Sequence, residues 1–172
     1  MENKFKALIR DVKDFPKPGI VYKDITPLFK DAKTMQMCAD ALYDLVDEKS
    51  VDKVVGVESR GFFFATLLAQ RLNAGFVPVR KLGKLPYQTV SKTYDLEYGT
   101  DTLEMHKDAI IKGERVLIHD DVLATGGTAK AVCELVEELG GIIVQSNFLI
   151  ELDFLNGRKL IDKYPVKSLI NF

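Results

Sequence analysis

The sequence predicts an α/β fold with a mainly parallel central sheet flanked by helices. Three observations carry that expectation. From Val54 onward, short apolar runs alternate with amphipathic stretches of helical period, the pattern of repeated strand and helix units. Several of those runs are continuously apolar, as strands covered on both faces require. With 172 residues, 47% of them hydrophobic, the chain suffices for one α/β domain with a sizeable core, and no second domain is evident.

The elements follow in order. Phe5, Leu8, Ile9 and Val12 place one apolar face on a first helix. The next stretch, DFPKPGIVYKDITPLF, contains prolines and a glycine that forbid a long regular element, so it is expected as a surface loop. Met35, Cys38, Leu42, Leu45 and Val46 mark a second helix with Thr34 as its cap. Val54 to Val57 read as a strand, Phe62 to Leu72 as a buried helix and Phe76 to Val79 as a strand. Val116 to Ile118 form another strand, Thr128 to Leu139 its helix, and Ile142 to Ile150 a further strand. Lys81 to Asp101 is polar and too long for an ordinary connection; such segments are usually lids or binding loops, and alternation around Thr89 to Tyr94 predicts a two-stranded flap.

Chemistry concentrates in the string VLIHDDVLATGGT, Val116 to Thr128. An apolar strand ends in two carboxylates and turns into a helix whose buried stripe is Ala129, Val132, Cys133, Val136 and Leu139. The corner lies at the carboxyl edge of the sheet, where a helix start aims unpaired N–H groups and the positive end of its dipole at the loop. A phosphate suits that place. Gly126 and Gly127 clear the approach of an anion, and Thr125 and Thr128 add hydroxyl donors. Ionised Asp120 and Asp121 only accept hydrogen bonds, so they suit the paired hydroxyls of a ribose. The string has neither the lysine of a P-loop nor a GxGxxG fingerprint. Alone, the Asp pair is read as well as the end of a strand; strand, carboxylates, loop and helix together read as hydroxyls and phosphate of one ligand.

A second loop of the same kind, Glu58-Ser59-Arg60-Gly61, also follows a strand and precedes a helix. The planar fork of Arg60 matches two phosphate oxygens, the alternative being a surface arginine paired with Glu58. Arg80, Lys81 and Lys84 add three cations that suit a polyphosphate, although each alone is equally a solvated surface charge.

Composition excludes other classes. A net charge of −1 and an absence of Lys/Arg blocks argue against a nucleic-acid-coating surface. No run reaches membrane length, and MENKFKALIRDV lacks the apolar core of a signal peptide, so a cytoplasmic location is expected. Cys38 and Cys133 fall on apolar helical stripes and are expected as buried free thiols, with no metal-ligand spacing.

VLIHDDVLATGGT resembles the signature by which type I phosphoribosyltransferases bind 5-phospho-α-D-ribose 1-diphosphate (PRPP), and LATGGT is similar to the form found in their adenine-specific branch. The resemblance runs from Phe15 to about Arg158 and implies the type I phosphoribosyltransferase fold, with a hood (1–33) and a flexible flap (about 81–101). It implies that Asp120 and Asp121 hold the ribose hydroxyls and that Ala124, Thr125, Gly126, Gly127 and Thr128 wrap the 5′-phosphate. Glu58, Ser59 and Arg60 would form the pyrophosphate loop, with a cis peptide between Glu58 and Ser59. Arg80, Lys81 and Lys84 would serve PRPP, in a region that can reach across a dimer interface.

Leu96-Glu97-Tyr98-Gly99 is similar to the family's LEYG. The resembling hypoxanthine and guanine enzymes place an aspartate where this chain has Ala124, which counts against 6-oxopurines and leaves Glu97 to take a purine ring proton, with Tyr98 closing over the site. FPKPGIVYKDITPLF resembles the hood over adenine, so backbone around Val21 and Lys23, with Tyr22, would read the base; Lys23 stands where arginine is more familiar. His119 replaces the usual aliphatic residue and is expected as a hydrogen-bonded core histidine. The implied reaction turns adenine and PRPP into AMP and pyrophosphate in a homodimer, with Mg²⁺ bound mainly through PRPP and water. No nucleic acid or membrane is implied. A transferase for another base such as xanthine, or a non-catalytic PRPP-sensing regulator, remain the alternatives.

Overall fold

The structure is a computed structural model that describes residues 2–95 and 99–172. The chain divides into two compact units, Met1–Ala41 and Leu42–Phe172.

In the first unit, helix α1 spans only Glu2–Lys6. Val12, expected on that helix, lies instead on strand β1 (Arg10–Lys13), which pairs antiparallel with β2 (Val21–Asp24). The expected loop is therefore a hairpin. Its turn holds Pro16 and Pro18 and uses left-handed backbone at Asp14 and Gly19, with Gly19 N–H donating to Asp14 Oδ1 at 2.7 Å, while Pro27 falls in a 3-10 turn after β2. Helix α2 (Ala32–Asp44) begins before Thr34. Thr34 is not its cap: Asp31 accepts hydrogen bonds from both the Thr34 N–H and its hydroxyl, each at 2.7 Å.

The second unit is built on one sheet. Its strands are β3 (Lys53–Val57), β4 (Gly75–Lys81), β5 (Thr89–Asp95), β6 (Thr100–His106), β7 (Arg115–Leu123), β8 (Ile142–Glu151) and β9 (Val166–Asn171). Among the described residues their order is β5-β6-β4-β3-β7-β8-β9. From β4 to β9 neighbouring strands are parallel, while β6 joins β4 antiparallel and pairs antiparallel with β5. Helix α3 (Gly61–Leu72) follows β3, and α4 (Gly127–Glu138) follows β7.

The expected elements of this unit are all present, with ends shifted by a few residues. The segment expected as a two-stranded flap holds the antiparallel β5–β6 ribbon, which extends beyond Asp101 to His106. Sequence reading misses β9, a short strand most of whose residues are half-buried and lack a clean period. The core lies between sheet and helices, where Val55, Val57, Ile118, Val132, Leu135, Val136 and Phe148 are buried together. Two buried amides on β8 tie the end of α2 to the sheet. Gln145 accepts from Asp47 N–H and donates to the Leu45 carbonyl and Asn147 Oδ1, while Asn147 Nδ2 donates to the Leu42 carbonyl. These amides thereby satisfy backbone groups that α2 leaves open.

Strand order decides where the chemistry goes. The chain passes from β3 outward to β4, then returns to place β7 on the other side of β3. At such a switch point the loops leaving the two strands diverge and open a crevice beyond their carboxyl ends.

Candidate active site

The loops leaving β3 and β7 are Glu58–Arg60 and Ala124–Gly126, and the first of them meets strand β7 through a side chain. Arg60 Nε lies 2.8 Å from Asp121 Oδ2. Gly61, which opens α3, lies hard against β7. A Cβ there would come 2.7 Å from Asp120 Oδ1 and 3.2 Å from both Asp120 Cα and the His119 carbonyl oxygen. The sequence analysis passed over this glycine, whose signal is its place at a helix start that must approach a strand.

The expected strand end at Asp120 and Asp121 is not the end, since β7 pairs with β8 on to Leu123; the Asp121 N–H donates to Asp120 Oδ1 at 2.8 Å. Burial pushes the Asp120 carboxyl well above the usual carboxylate range, and the neighbouring Asp121 charge adds to the effect. Burial raises Asp121 as well, opposed there by Arg60. Ionisation is therefore disfavoured more at Asp120 than at Asp121, which faces the guanidinium.

Gly126 caps α4 with φ +89° and no side-chain cap hydrogen bond, so side chains of the loop leave the first helical N–H groups unclaimed. The first helical bond runs from Lys130 N–H to the Gly126 carbonyl at 2.9 Å. Gly127 clears more than an anion's approach. A Cβ on it would meet the Asp95 carbonyl oxygen at 3.1 Å and the Tyr94 ring at 3.3 Å, so the end of β5 lies against the helix start. The Tyr94 hydroxyl lies near the Thr128 side chain. Tyr94 is a contact that sequence reading missed, since only the folded flap brings it to Thr128.

The expected cations are largely neutralised by acids. Glu58 accepts from Arg80 Nε at 3.2 Å, Arg80 Nη2 at 3.1 Å and the Lys81 N–H at 2.9 Å. Burial pushes the Glu58 carboxyl up, but these hydrogen bonds outweigh it and hold it below its ordinary value. Lys81 Nζ lies 3.1 Å from Asp101 Oδ2, and Arg80 Nη1 donates to the Lys84 carbonyl at 3.2 Å. Glu58 thus pairs with Arg80, while Arg60 reaches Asp121. The Glu58–Ser59 peptide is cis.

Val21, Tyr22 and Lys23 lie on β2 of the first unit. The Tyr22 ring meets Phe15 edge-on at 5.2 Å, and Lys23 Nζ lies 2.7 Å from Asp11 Oδ1 across the hairpin. Glu97 and Tyr98 lie outside the described residues. His119 is fully buried against Phe64. Its two ring nitrogens lack partners of hydrogen-bond geometry, so the expected hydrogen-bonded histidine is a packed one. Burial pushes it down to about 3, which keeps it neutral. Among the described residues no three His, Cys, Asp or Glu side chains converge as a metal cage, and the hard oxygen donors at the cradle are Asp120 and Asp121. Their oxygens fit an ion that is ligated mainly by something other than the protein.

A mainly parallel sheet with a carboxylate pair, a glycine-threonine turn and an arginine loop at its switch point suits a nucleotide-forming transferase. A family model described as the phosphoribosyl transferase domain matches residues 26–171, and the chain belongs to this family. Adenine phosphoribosyltransferases are among the relatives it matches over nearly its full length. It is 63% identical to that of Flavobacterium johnsoniae over 98% of this chain and 99% of the other. The crystal structure of adenine phosphoribosyltransferase from Thermoanaerobacter pseudethanolicus superposes with a TM-score of 0.97 at 52% identity, covering 100% of both chains. The Saccharomyces cerevisiae enzyme, solved with adenine and an imino-altritol bisphosphate, matches at TM-score 0.92 and 43% identity over 98% of this chain and 97% of that one.

Proposed function

We infer that this chain converts adenine and PRPP to AMP and pyrophosphate, as a pentosyltransferase of purine salvage. The observation that carries the reading is the meeting of the loop after β3 with strand β7, Arg60 on Asp121, in a chain 63% identical over 98% of its length to an adenine phosphoribosyltransferase.

In this reading Asp120 and Asp121 hold the ribose 2′ and 3′ hydroxyls. Ala124, Thr125, Gly126, Gly127 and Thr128 wrap the 5′-phosphate with backbone N–H groups and hydroxyls. Glu58, Ser59 and Arg60 form the pyrophosphate loop, and Arg80, Lys81 and Lys84 exchange their present partners for diphosphate oxygens. Val21, Tyr22 and Lys23 are assigned adenine recognition, through backbone groups at Val21 and Lys23 because the Lys23 ammonium is already paired with Asp11.

The purine nitrogen attacks C1 of the ribose as the bond from C1 to the diphosphate oxygen breaks, through an oxocarbenium-like transition state. Glu97 receives the nitrogen's proton, Tyr98 closes over the site, and Arg60 stabilises the leaving group. Mg²⁺, when carried in mainly by PRPP and water, would neutralise charge on the departing diphosphate.

A homodimer in the cytoplasm completes the proposal. Phe63, Leu82 and Tyr87 are each more than half exposed and supply apolar surface for a second copy. Buried free Cys38 and Cys133 suit a reducing compartment. Among the described residues no helix is long and apolar enough to cross a membrane.

The deciding assay mixes PRPP, Mg²⁺ and each base in turn and follows nucleotide and pyrophosphate. AMP with adenine is expected. Product only with another base, such as xanthine, would overturn the adenine assignment. No product with any base would leave a PRPP-sensing regulator.

A further inference from the structure

The 5′-phosphate loop is supported from behind by a segment the function above does not use. After β8 the chain makes a 3-10 turn, Gly157–Ile161, whose first residue packs against the loop through backbone alone. A Cβ on Gly157 would fall on the Ala124 carbonyl oxygen, 2.8 Å from Gly126 N and 2.9 Å from the Thr125 carbonyl carbon. A Cβ on Gly126 would likewise fall on the Gly157 carbonyl oxygen. Gly126 has a left-handed φ of its own, whereas Gly157 does not. At Gly157, glycine answers to the close approach alone.

The next residue holds Gly157 in place. Arg158 donates from Nε to Glu151 Oε1 at 2.9 Å and from Nη2 to Oε2 at 2.5 Å, and its Nη1 donates to the Val166 carbonyl at 2.7 Å. The Ser168 hydroxyl donates to Glu151 Oε2 at 2.6 Å. Glu151 is 5% exposed and ends β8; Val166 and Ser168 belong to β9. One bidentate fork therefore pins the turn to two strands of the sheet, and the turn pins the loop.

We propose that Gly157 and the Arg158–Glu151–Ser168 cluster are positioning residues for the 5′-phosphate. They hold the backbone donors of Thr125 to Thr128 at the spacing one phosphate demands and act through the loop. Preorganised donors lose most of their value when displaced by about 1 Å, so a small push from behind is felt at the ligand. The inference rests on the PRPP reading of that loop.

Calorimetric titrations with ribose 5-phosphate and with pyrophosphate, each in Mg²⁺, read the two halves of the site separately. The wild-type protein should bind both; failure to bind ribose 5-phosphate would overturn the PRPP reading itself. Gly157→Ala should weaken ribose 5-phosphate about 10-fold or more and leave pyrophosphate within about twofold. Its KM for PRPP should rise while kcat and the KM for adenine hold. Arg158→Lys keeps the charge, loses the fork and should move the same quantities in the same direction, which covers the case in which Gly157→Ala fails to fold. Unchanged ribose 5-phosphate affinity in a folded variant, an equal loss for both ligands, or unfolding of both variants would overturn the proposal.

Discussion

Arg60 Nε lies 2.8 Å from Asp121 Oδ2, joining the loop after β3 to strand β7. In the proposed reaction, PRPP would offer Arg60 phosphate charge in place of Asp121 and offer Asp121 a hydroxyl in return.

Replacing Arg60 by Lys retains the charge and loses the planar fork. We expect kcat/KM for PRPP to fall about 100-fold, with weaker pyrophosphate binding. Steady-state kinetics and a pyrophosphate titration check this. Wild-type pyrophosphate affinity in the variant would remove Arg60 from the leaving-group site.

The Asp120 carboxyl, raised by burial and then by the Asp121 charge, sets a pH dependence. The unfolded chain ionises this group from about pH 3.8, the ordinary value, while the folded protein resists ionisation until a higher pH. Its contribution to stability is therefore complete below that range and is lost as pH rises through it. Asp120→Asn should melt at a higher temperature than wild type at neutral pH, with the difference shrinking toward pH 4, and its KM for PRPP should rise about 10-fold. Thermal melts across pH test it, and a variant less stable than wild type at pH 7 would contradict it.

Gly61→Ala should push directly on Asp120. The nearest atoms include Asp120 Cα and the His119 carbonyl at 3.2 Å, and backbone cannot swing aside as a side chain can. A loss of about 1–3 kcal/mol in stability should accompany a rise in KM for PRPP, measured by denaturant unfolding and initial rates. Wild-type values in both would show that α3 can retreat from β7.

Glu97→Gln removes the proposed proton acceptor while keeping its shape. Turnover should fall about 100-fold or more, with the KM for PRPP nearly unchanged. Equal turnover would take Glu97 out of the mechanism.

Burial pushes both Cys38 and Cys133 up to about 12. Neither thiol should react with a disulfide reagent at pH 8 in the folded protein, and both should react on denaturation. Fast labelling of the native chain would show that one of them is accessible.

Legibility followed the range of the interactions. The helix stripe of α4 and the apolar run of β7 rest on local periodicity, and both stand where the residues put them. The β1–β2 hairpin escaped because its strands carry charges on both sides of a Pro/Gly turn, and only the pairing Val12 with Tyr22 makes them strands. Strand β9 escaped because its place in the sheet comes from β8, its parallel neighbour. The motif residues of the cradle were legible as types, whereas Tyr94, Gly61 and Gly157 matter through partners far away in sequence.

The sequence by itself determined the chemical inventory: a carboxylate pair, a glycine-threonine turn, an arginine loop and the helices that follow them. Tertiary structure alone decided the partners. Arg60 went to Asp121 and Arg80 to Glu58 because β7 lies on one side of β3 and β4 on the other. Period and turn chemistry act over a few neighbouring residues and can be read along the chain. Charge pairing and backbone-to-backbone approach depend on which strands become neighbours, and that order exists only after the sheet has assembled.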